Sequence, residues 1–276
     1  MGKCLLGRMM AEALGEGYLE TKLQDTIVAS NGVNEASGED MGINPKQAKD
    51  GVYILHTNGK LYEIDSWNQG SKDAVGVALK IKKCRFVIAP EQITNIPWSP
   101  EYKFYDEAIR GGYTYLFDRD QSRYKYVLVP NCKTIANENK AIKDFDGIGN
   151  TTAIVNFWKN TSMVVDIFGG SYGVTSKDCA AIWCSEYTFK NGKKGYLGAF
   201  GELCAIAENV EEINKALIKI DGTPFSTKAL SNARTQWSST QQDREAAWSY
   251  IFGYGERDKE KRAADSGMGA RPLTKL

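Results

Sequence analysis

The stretch that decides the fold lies close to the C terminus and reads Gln236-Trp237-Ser238-Ser239-Thr240, followed by Ala247-Trp248, Phe252 and Gly255. Aromatic residues recur there between runs of unrelated polar residues. Burying a Trp or Phe side chain contributes on the order of 2 to 3 kcal/mol, so a few such residues can anchor a segment whose other positions vary freely. We predict that Trp237, Trp248 and Phe252 are buried anchors for a displayed surface, which favours binding over catalysis.

Strand alternation sorts the residues of this segment between two faces. Trp248, Tyr250 and Phe252 share the face that we predict to be core, and Ser249 and Ile251 share the opposite, exposed face. The candidate ligand contacts are Asp243, Arg244, Ser249, Ile251, Tyr254, Arg257, Asp258, Lys259, Asp265, Ser266 and Met268. The tyrosine and the arginines are the best anchors among them, because such side chains dominate binding hot spots. For any single residue the other interpretation is a solvated loop position.

Composition indicates a folded protein without the charge of a nucleic-acid binder. The 276 residues are 42% hydrophobic, which suffices for one large or several small cores, and 35 Lys+Arg nearly balance 34 Asp+Glu. No stretch approaches the roughly 18 to 20 consecutive apolar residues of a membrane span, and Arg8 interrupts the short apolar run at the start. We expect no nucleic-acid partner, no membrane insertion and synthesis in a cytosol.

Cysteine and acidic residues give no pattern of a metal site. The spacings of Cys4, Cys84, Cys132, Cys179, Cys184 and Cys204 match no zinc motif, and the acidic residues are scattered. Most of these cysteines read as buried apolar thiols, although Cys179 and Cys184 could pair in an oxidising compartment. We expect no metal and no cofactor.

The hydrophobic pattern divides the chain into three parts. Residues 1–49 hold a predicted helix over 11–23 and a polar, glycine-bearing stretch, and we interpret them as an attachment or oligomerisation segment. Residues 50–135 form a β-rich module, with hairpin turns predicted at Asn58-Gly59 and around Asp118-Arg119-Asp120 and two further strands before Pro90. Residues 136–276 form the predicted ligand-binding domain.

That last part mixes helices with short strands. A helix is predicted from Thr151 with Asn150 as its cap, and residues 187–197 predict a strand, a turn and a strand. Two more helices are predicted over 203–210 and 211–220, the second ending at Asp221-Gly222. The predicted fold class is α+β.

The order of motifs supports a resemblance over roughly residues 140–276. The motifs are Asp144-Phe145-Asp146-Gly147, Tyr196-Leu197-Gly198-Ala199-Phe200-Gly201-Glu202, Gly222-Thr223-Pro224, Trp237-Ser238-Ser239-Thr240, Ala247-Trp248, Phe252 and Arg271-Pro272. In this order they resemble a C-type-lectin-like family of Bacteroidales and their phages, some of whose members are targets of diversity-generating retroelements. Residues 50–89 resemble the β module that often precedes it.

The resemblance implies helices beside small antiparallel sheets, with buried tryptophans and Arg271 framing a C-terminal segment whose variable residues project outward. Two positions depart from the family pattern. Gly198-Ala199-Phe200 replaces the more usual Pro-Ala or Pro-Thr before Gly-Glu, and Gln236 stands where Tyr is usual. The second departure adds Gln236 to the candidate ligand contacts.

If a retroelement diversifies this segment, the asparagine codons of its template limit which amino acids can appear at the variable positions. Mutating template adenines in asparagine codons cannot give Gln, Glu, Lys, Met or Trp. Arg244, Ser249 and Tyr254 therefore fit such an origin, whereas Lys259 and Met268 need another one.

Catalysis is the third interpretation, because related lectin-like folds include a sulfatase-activating enzyme that depends on reactive cysteines. Cys179, Cys184 and Cys204 would be the candidate nucleophiles. The only histidine, His56, lies at a hairpin edge, where a turn residue is far commoner than a general base. We predict that the chain is not an enzyme.

The sequence thus predicts a receptor-binding protein at the tip of a phage tail fibre that recognises a bacterial surface protein or glycan. Its N-terminal segment would attach it to other virion tail proteins, and a homotrimer would gain avidity from several weak sites. The protein would be made in the host cytoplasm and function in the virion. The alternative is a bacterial surface adhesin or pilus-tip protein of the same fold, located at the cell surface.

Overall fold

The structure is a computed structural model that describes residues 42–99, 128–160, 164–165, 171–172, 175–227, 235–261 and 267–276. The chain divides into two compact units, Met1–Met41 and Gly42–Leu276, and every described residue belongs to the second. The predicted helix over 11–23, the hairpin around Asp118-Arg119-Asp120 and the candidate contacts Asp265 and Ser266 lie outside the described residues.

Six of the described strands build one antiparallel sheet. They are β1 (Gly51–His56), β2 (Leu61–Tyr62), β3 (Ala74–Ile81), β4 (Cys84–Ile88), β8 (Tyr196–Leu197) and β13 (Pro272–Lys275). Their order is β2-β1-β3-β4-β13-β8. The predicted turn at Asn58-Gly59 joins β1 to β2, with Gly59 at a φ of 83°, which glycine adopts without steric cost. The hairpin and the two strands that follow it are confirmed.

A second sheet of described strands carries the C-terminal segment. Its strands are β5 (Ile93–Thr94), β9 (Thr235–Gln241), β10 (Ala246–Ile251), β11 (Glu256–Lys261) and β12 (Met268–Ala270). Their order is β11-β10-β9-β12-β5, and β12 runs parallel to β9 while the other pairs are antiparallel. A separate two-stranded sheet pairs β6 (Val164–Val165) with β7 (Ser171–Tyr172).

Helices pack beside these sheets. The described helices are α1 (Glu138–Ala141), α2 (Gly147–Asn160), α3 (Ala180–Glu186), α4 (Phe200–Glu208) and α5 (Val210–Lys219). The predicted helix after Asn150 is real but begins earlier, because the Asp146 carboxylate accepts the Gly149 N–H at 3.0 Å. The two helices predicted over 203–220 are confirmed, and Asp221, with a φ of 55°, follows the second one.

The two sheets and the helices share continuous hydrophobic cores. Phe86 of β4, Leu217 of α5 and Phe252 belong to one core cluster, although they come from distant parts of the sequence. A second cluster contains Trp98 and Trp237 with residues of α2 and α3. Helices beside antiparallel and mixed sheets confirm the predicted α+β class.

The predicted division between a β-rich module at 50–135 and a domain at 136–276 does not separate two cores. Strand β13, from the C terminus, pairs with β4 through Leu273 and Ile88, and residues 42–276 form one compact unit. Local periodicity detects strands but not the long-range pairing that unites them. The C-type-lectin resemblance itself stays a prediction.

Candidate recognition surface

Strand β9 is the buried support of the candidate surface. Every residue from Thr235 to Gln241 is buried. The Trp237 indole N–H donates to the carbonyl oxygen of Ile96 at 2.9 Å, and the Trp98 indole N–H donates to that of Ser238 at 2.7 Å. These two bonds tie β9 to the chain that follows β5, so the strand is fixed both by apolar packing and by satisfied polar groups.

The remaining predicted anchors are buried as well. Trp248 is 5% exposed, its ring stacks on Phe200 at 5.0 Å between centroids, and its N–H donates to the Ile135 carbonyl at 2.7 Å. Phe252 is 6% exposed and stacks on Phe225 at 4.6 Å. The prediction that Trp237, Trp248 and Phe252 are buried is confirmed.

Arg271 is a buried cation at the point where the chain crosses between sheets. It is the single residue between β12 and β13, and its guanidinium donates to the carbonyls of Ala89, Pro90 and Thr223 and to the side chain of Gln92. These backbone carbonyls lie outside the strands and have no strand partner to donate to them, and the guanidinium supplies the missing hydrogen-bond donors.

Burial also affects the charge of this residue. Desolvation lowers the pKa of Arg271 to about 9, so the group stays charged at neutral pH. The guanidinium lies over the Phe225 ring at 4.3 Å, a cation–π contact. Arg271 therefore supports the C-terminal segment through hydrogen bonds and a cation–π contact, whereas the tryptophans support it through apolar packing.

The Asp144-Phe145-Asp146-Gly147 motif forms a buried polar connection to β9. Asp144 accepts hydrogen bonds from Lys133 Nζ at 3.0 Å, from Asn150 Nδ2 at 2.8 Å and from Thr240 Oγ1 at 2.7 Å. Thr240 Oγ1 in turn accepts the Phe200 N–H at 2.9 Å. The network joins α2, α4 and β9 around one carboxylate, and each added bond makes the support more rigid.

The exposed candidates lie on the β10–β11 hairpin and on the turn before it. Asp243 and Arg244 are exposed in the turn between β9 and β10, and Tyr254 is 52% exposed in the turn between β10 and β11. Because β10 spans six residues, these two turns lie roughly 17 Å apart at opposite ends of the strand. The candidate surface therefore extends along the whole hairpin.

The register of β11 sorts its charged residues by face. Arg257 and Lys259 lie opposite Tyr250 and Trp248, whereas Asp258 lies opposite Ser249. Facing residues of an antiparallel pair project to the same side, so basic positions occur on the side of the helices and Asp258 on the other. Arg257 and Lys259 are exposed, and Asp258 and Ile251 are half-buried.

Two of the exposed candidates have local structural roles. The Asp243 carboxylate accepts the N–H groups of Glu245 and Ala246 at 2.7 and 2.9 Å, which holds the turn before β10. Arg257 Nη1 lies 3.2 Å from Glu138 Oε1 in α1. A surface ion pair of this kind contributes little to stability, so Arg257 can exchange it for a ligand contact.

Three predicted contacts are wrong because their side chains are buried. Gln236 is 1% exposed, Ser249 is 0% exposed and Met268 is 4% exposed. Strands β9 and β10 are inner strands of the five-stranded sheet, and Ala247, on the face of Ser249, belongs to the same core as Trp237 and Met268. Alternation predicted a solvated second face, but this sheet is covered on both faces.

The cysteine nucleophiles considered from the sequence, Cys179, Cys184 and Cys204, are buried free thiols. Burial raises the pKa of Cys204 to about 11 and that of Cys184 well above its usual range. Cys179 and Cys184 are both free, and the Cys179 thiol donates to the Trp98 carbonyl at 3.1 Å. The His56 Nδ1 accepts the Asn58 N–H at 2.8 Å, as expected of a turn residue.

The described ranges contain neither a metal-ligand cluster nor a membrane-spanning helix. No group of three or more His, Cys, Asp or Glu side chains in these ranges could hold a metal ion. Within the same ranges, every helix is too short or too polar to cross a bilayer.

Sequence reasoning missed the residues that position the anchors. Gln241 binds the 128–134 loop through Val129, whose N–H donates to Gln241 Oε1 at 2.9 Å and whose carbonyl accepts from Gln241 Nε2 at 3.1 Å. Trp98 and Glu202 are buried as well. The motif containing Glu202 was noted only as part of a resemblance, and no local pattern reveals partners more than 100 residues apart.

The fold is similar to that of a solved fimbrial protein. No family model matches the chain, and no curated protein matches it. The crystal structure of a fimbrial protein from Bacteroides ovatus ATCC 8483 is similar, with a TM-score of 0.46 and 15% sequence identity. The match covers 83% of this chain and 49% of that one, so this chain spans about half the length of the fimbrial protein.

Proposed function

We propose that this chain is a receptor-binding protein whose β10–β11 hairpin and preceding turn recognise a molecule on a bacterial cell surface. One observation carries the proposal: Trp237, Trp248 and Phe252 are nearly completely buried, while Arg244 and Tyr254, in the turns before and after β10, are exposed. Because the buried aromatic residues hold the segment in place, the exposed residues can be substituted without loss of the fold. A recognition surface whose ligand changes requires this tolerance.

The chemistry of the exposed residues suits binding. Tyr254 offers a ring and a hydroxyl at little entropic cost, and Arg244 and Arg257 offer forked hydrogen-bond donors. Lys259 adds a further positive charge on the side of Arg257. A partner with acidic or carbonyl-rich groups on its surface would complement this set.

The contact set is narrower than the sequence indicates. It comprises Arg244, Tyr254, Arg257 and Lys259 at its centre, with Ile251, Asp243 and Asp258 at its margin. Burial raises the pKa of Cys184 and Cys204, two of the three candidate nucleophiles, and this supports a binding role for the chain over thiol catalysis.

A binding assay with purified protein and whole Bacteroidales cells tests the proposal. The test variant replaces Arg244, Tyr254, Arg257 and Lys259 together by alanine. The matched control replaces exposed residues of similar type elsewhere, namely Arg85, Lys83 and Ile218. We expect the test variant to lose cell binding and the control to retain it. Equal binding by both variants would place the recognition surface elsewhere.

The setting that we propose for this function is the tip of a phage tail fibre, where a homotrimer would present three such hairpins. The alternative setting is a bacterial adhesin or pilus tip. Sedimentation of the purified protein measures the number of copies, and neighbouring tail genes or fimbrial genes would distinguish the two settings. Sequencing the gene in several isolates tests diversification, since substitutions spread evenly along the chain would exclude it.

A further inference from the structure

Strand β11 is the terminal strand of the five-stranded sheet, along the ranges that the structure describes. All six of its residues pair with β10, from Glu256 opposite Ile251 to Lys261 opposite Ala246. A terminal strand keeps one row of backbone N–H and C=O groups without a strand partner, and such a row is a template for pairing with another chain. The outer edge of β11 is therefore a place where copies of the protein can meet.

The charges of β11 are sorted between the two faces of the sheet. Glu256, Asp258 and Glu260 alternate along the strand with Arg257 and Lys259. Successive strand residues project to opposite faces, so the acidic residues share one face and the basic residues share the other. One face of this edge is thus acidic and the other basic.

Contacts within the chain agree with this division. Arg257 Nη1 lies 3.2 Å from Glu138 Oε1 of α1, on the side of the helices. On the other face, burial raises the pKa of Glu260, and the negative charge of Asp258 raises it further. This repulsion indicates that the two carboxylates lie side by side on one face.

Symmetry determines which residues would meet if two copies paired at this edge. In a dimer whose β11 strands are antiparallel, the two-fold axis is perpendicular to the sheet and leaves each face on its own side. Directly opposite residues of the two strands also project to the same side. An acidic position can consequently oppose only an acidic position of the second copy, and a basic position only a basic one.

Each register of such a dimer brings like charges together. With Asp258 on the axis, Glu256 lies opposite Glu260 of the second copy, and Arg257 lies opposite Lys259. With Arg257 on the axis, Glu256 lies opposite Asp258, and with Lys259 on the axis, Asp258 lies opposite Glu260. Like charges directly opposite each other destabilise a strand pair, so all three registers are disfavoured.

Two further features act in the same direction. The Asp258 carboxylate accepts the Lys259 N–H at 2.8 Å, which occupies a backbone donor of the strand. The opposite terminal strand of this sheet, as far as it is described, is β5, with two residues against the six of β11. A head-to-tail contact between β11 of one copy and β5 of the next would therefore be short.

We propose that the outer edge of β11 excludes a second copy of this chain and keeps the hairpins of neighbouring copies apart. Copies that associate then do so through another surface. The inference goes beyond the proposed function and holds whether or not the hairpin binds a bacterial surface molecule, because it concerns only contacts between copies.

Exchanging two charges tests the proposal. The variant Glu256→Lys with Lys259→Glu keeps the net charge and, with Asp258 on the axis, makes all four charged pairs around it opposite in sign. We expect this variant to self-associate at least about tenfold more strongly than the wild type, because four repulsive pairs become attractive. Sedimentation of the full chain over a range of concentrations measures the association constant, and added salt should weaken it.

A second variant guards against an effect on folding. Arg257→Glu with Glu260→Lys makes the same four pairs opposite by changing their other members, so it should associate as the first variant does. The matched control, Glu63→Lys with Lys82→Glu, makes the same substitutions at exposed positions outside the strands. It should sediment as the wild type does.

A cysteine on the axis gives an independent measurement. Facing Cα atoms of an antiparallel pair lie about 4.5 to 5.5 Å apart, within the range of a disulfide. Asp258→Cys combined with the first variant should therefore form a covalent dimer under mild oxidation, visible on a non-reducing gel. Asp258→Cys alone should form this dimer far more slowly, because the like-charge pairs remain.

The proposal is overturned if both exchanged-charge variants sediment as the wild type does. It is equally overturned if Asp258→Cys alone forms the covalent dimer as fast as it does with the exchanged charges. Association of the control as strong as that of the exchanged-charge variants would also overturn it, since the effect would then not belong to the edge of β11.

Discussion

Glu202 is a buried carboxylate in the third position of α4. It is 5% exposed, its Oε2 accepts the Ala199 N–H at 2.8 Å, and its Oε1 accepts the Tyr196 hydroxyl at 2.9 Å. Loss of solvent raises the pKa of Glu202 to about 7, against the lowering effect of these two hydrogen bonds. The negative charges of Asp144 and Asp146 raise it further. This side chain therefore titrates near neutral pH.

The stability of the fold should consequently fall as the pH rises through 7. The folded pKa is higher than the unfolded one, so the folded state binds the proton more tightly and the stabilisation is lost at high pH. Between pH 6 and pH 9 we expect the free energy of unfolding to drop by about 1 to 1.5 kcal/mol from this group. Urea denaturation of the wild type at both pH values measures the drop.

The variant Glu202→Gln isolates this effect, since Gln retains an acceptor for the Ala199 N–H and does not titrate. It should remove most of the difference between pH 6 and pH 9. Glu208→Gln, at an exposed position of the same helix, is the control and should leave the difference unchanged. A wild-type stability that rises over this pH range would contradict the assignment.

The β10–β11 hairpin combines a strand whose sequence is strongly constrained by burial with a strand whose sequence is weakly constrained. Ala247, Trp248 and Ser249 are buried in β10, whereas most residues of β11 are exposed or half-buried edge positions. In this sheet, as far as it is described, β11 is a terminal strand. Charged residues are common on such strands because they discourage unwanted pairing.

Replacing Arg244, Tyr254 and Lys259 together by serine should therefore change the free energy of unfolding by no more than about 1 kcal/mol, because surface changes are individually small. Phe252→Ala, two residues from Tyr254, should cost about 3 to 5 kcal/mol, because it leaves a cavity against Phe225. Urea denaturation compares the two proteins. Similar losses in both would show that the displayed residues also support the fold.

At the scale of the whole molecule, the C-terminal strand unites parts that are distant in sequence. Strand β13 lies between β4 and β8, and Leu273 is 1% exposed in the core shared with α5. Arg271, just before it, donates to carbonyls of the segment after β4 and of the segment after α5. Residues 42–276 should unfold as one cooperative unit.

Deleting residues 271–276 should abolish cooperative unfolding of the whole unit, because β4 and β8 lose their common partner and four carbonyl or amide acceptors lose their donor. Near-ultraviolet circular dichroism during heating measures the loss. Deletion of Leu276 alone is the control and should preserve the transition. A fragment of residues 42–135 that folds cooperatively by itself would restore the separate β module that the sequence suggested.

Sequence patterns predicted the positions of strands and helices well and the solvent exposure of polar residues poorly. Period-two alternation located β1, β3 and β4, and helical spacing located α4 and α5. The same alternation placed Ser249 in solvent, although it is 0% exposed. A period of two tells which residues share a face, but whether that face meets water depends on what else packs on the sheet.

By itself, the sequence determined the α+β class, the identity of Trp237, Trp248 and Phe252 as anchors, and the exposure of Arg244 and Tyr254. Burial of a large aromatic side chain stabilises the folded state, and turn residues between strands are exposed in almost any packing. Both outcomes therefore follow from local chemistry. Only the tertiary structure decided that Gln236, Ser249 and Met268 are buried and that residues of both predicted domains, such as Phe86 and Leu217, belong to the same core cluster. Those outcomes depend on contacts between residues far apart in the chain, and hydrophobic contact is non-directional, so no local pattern specifies the partner.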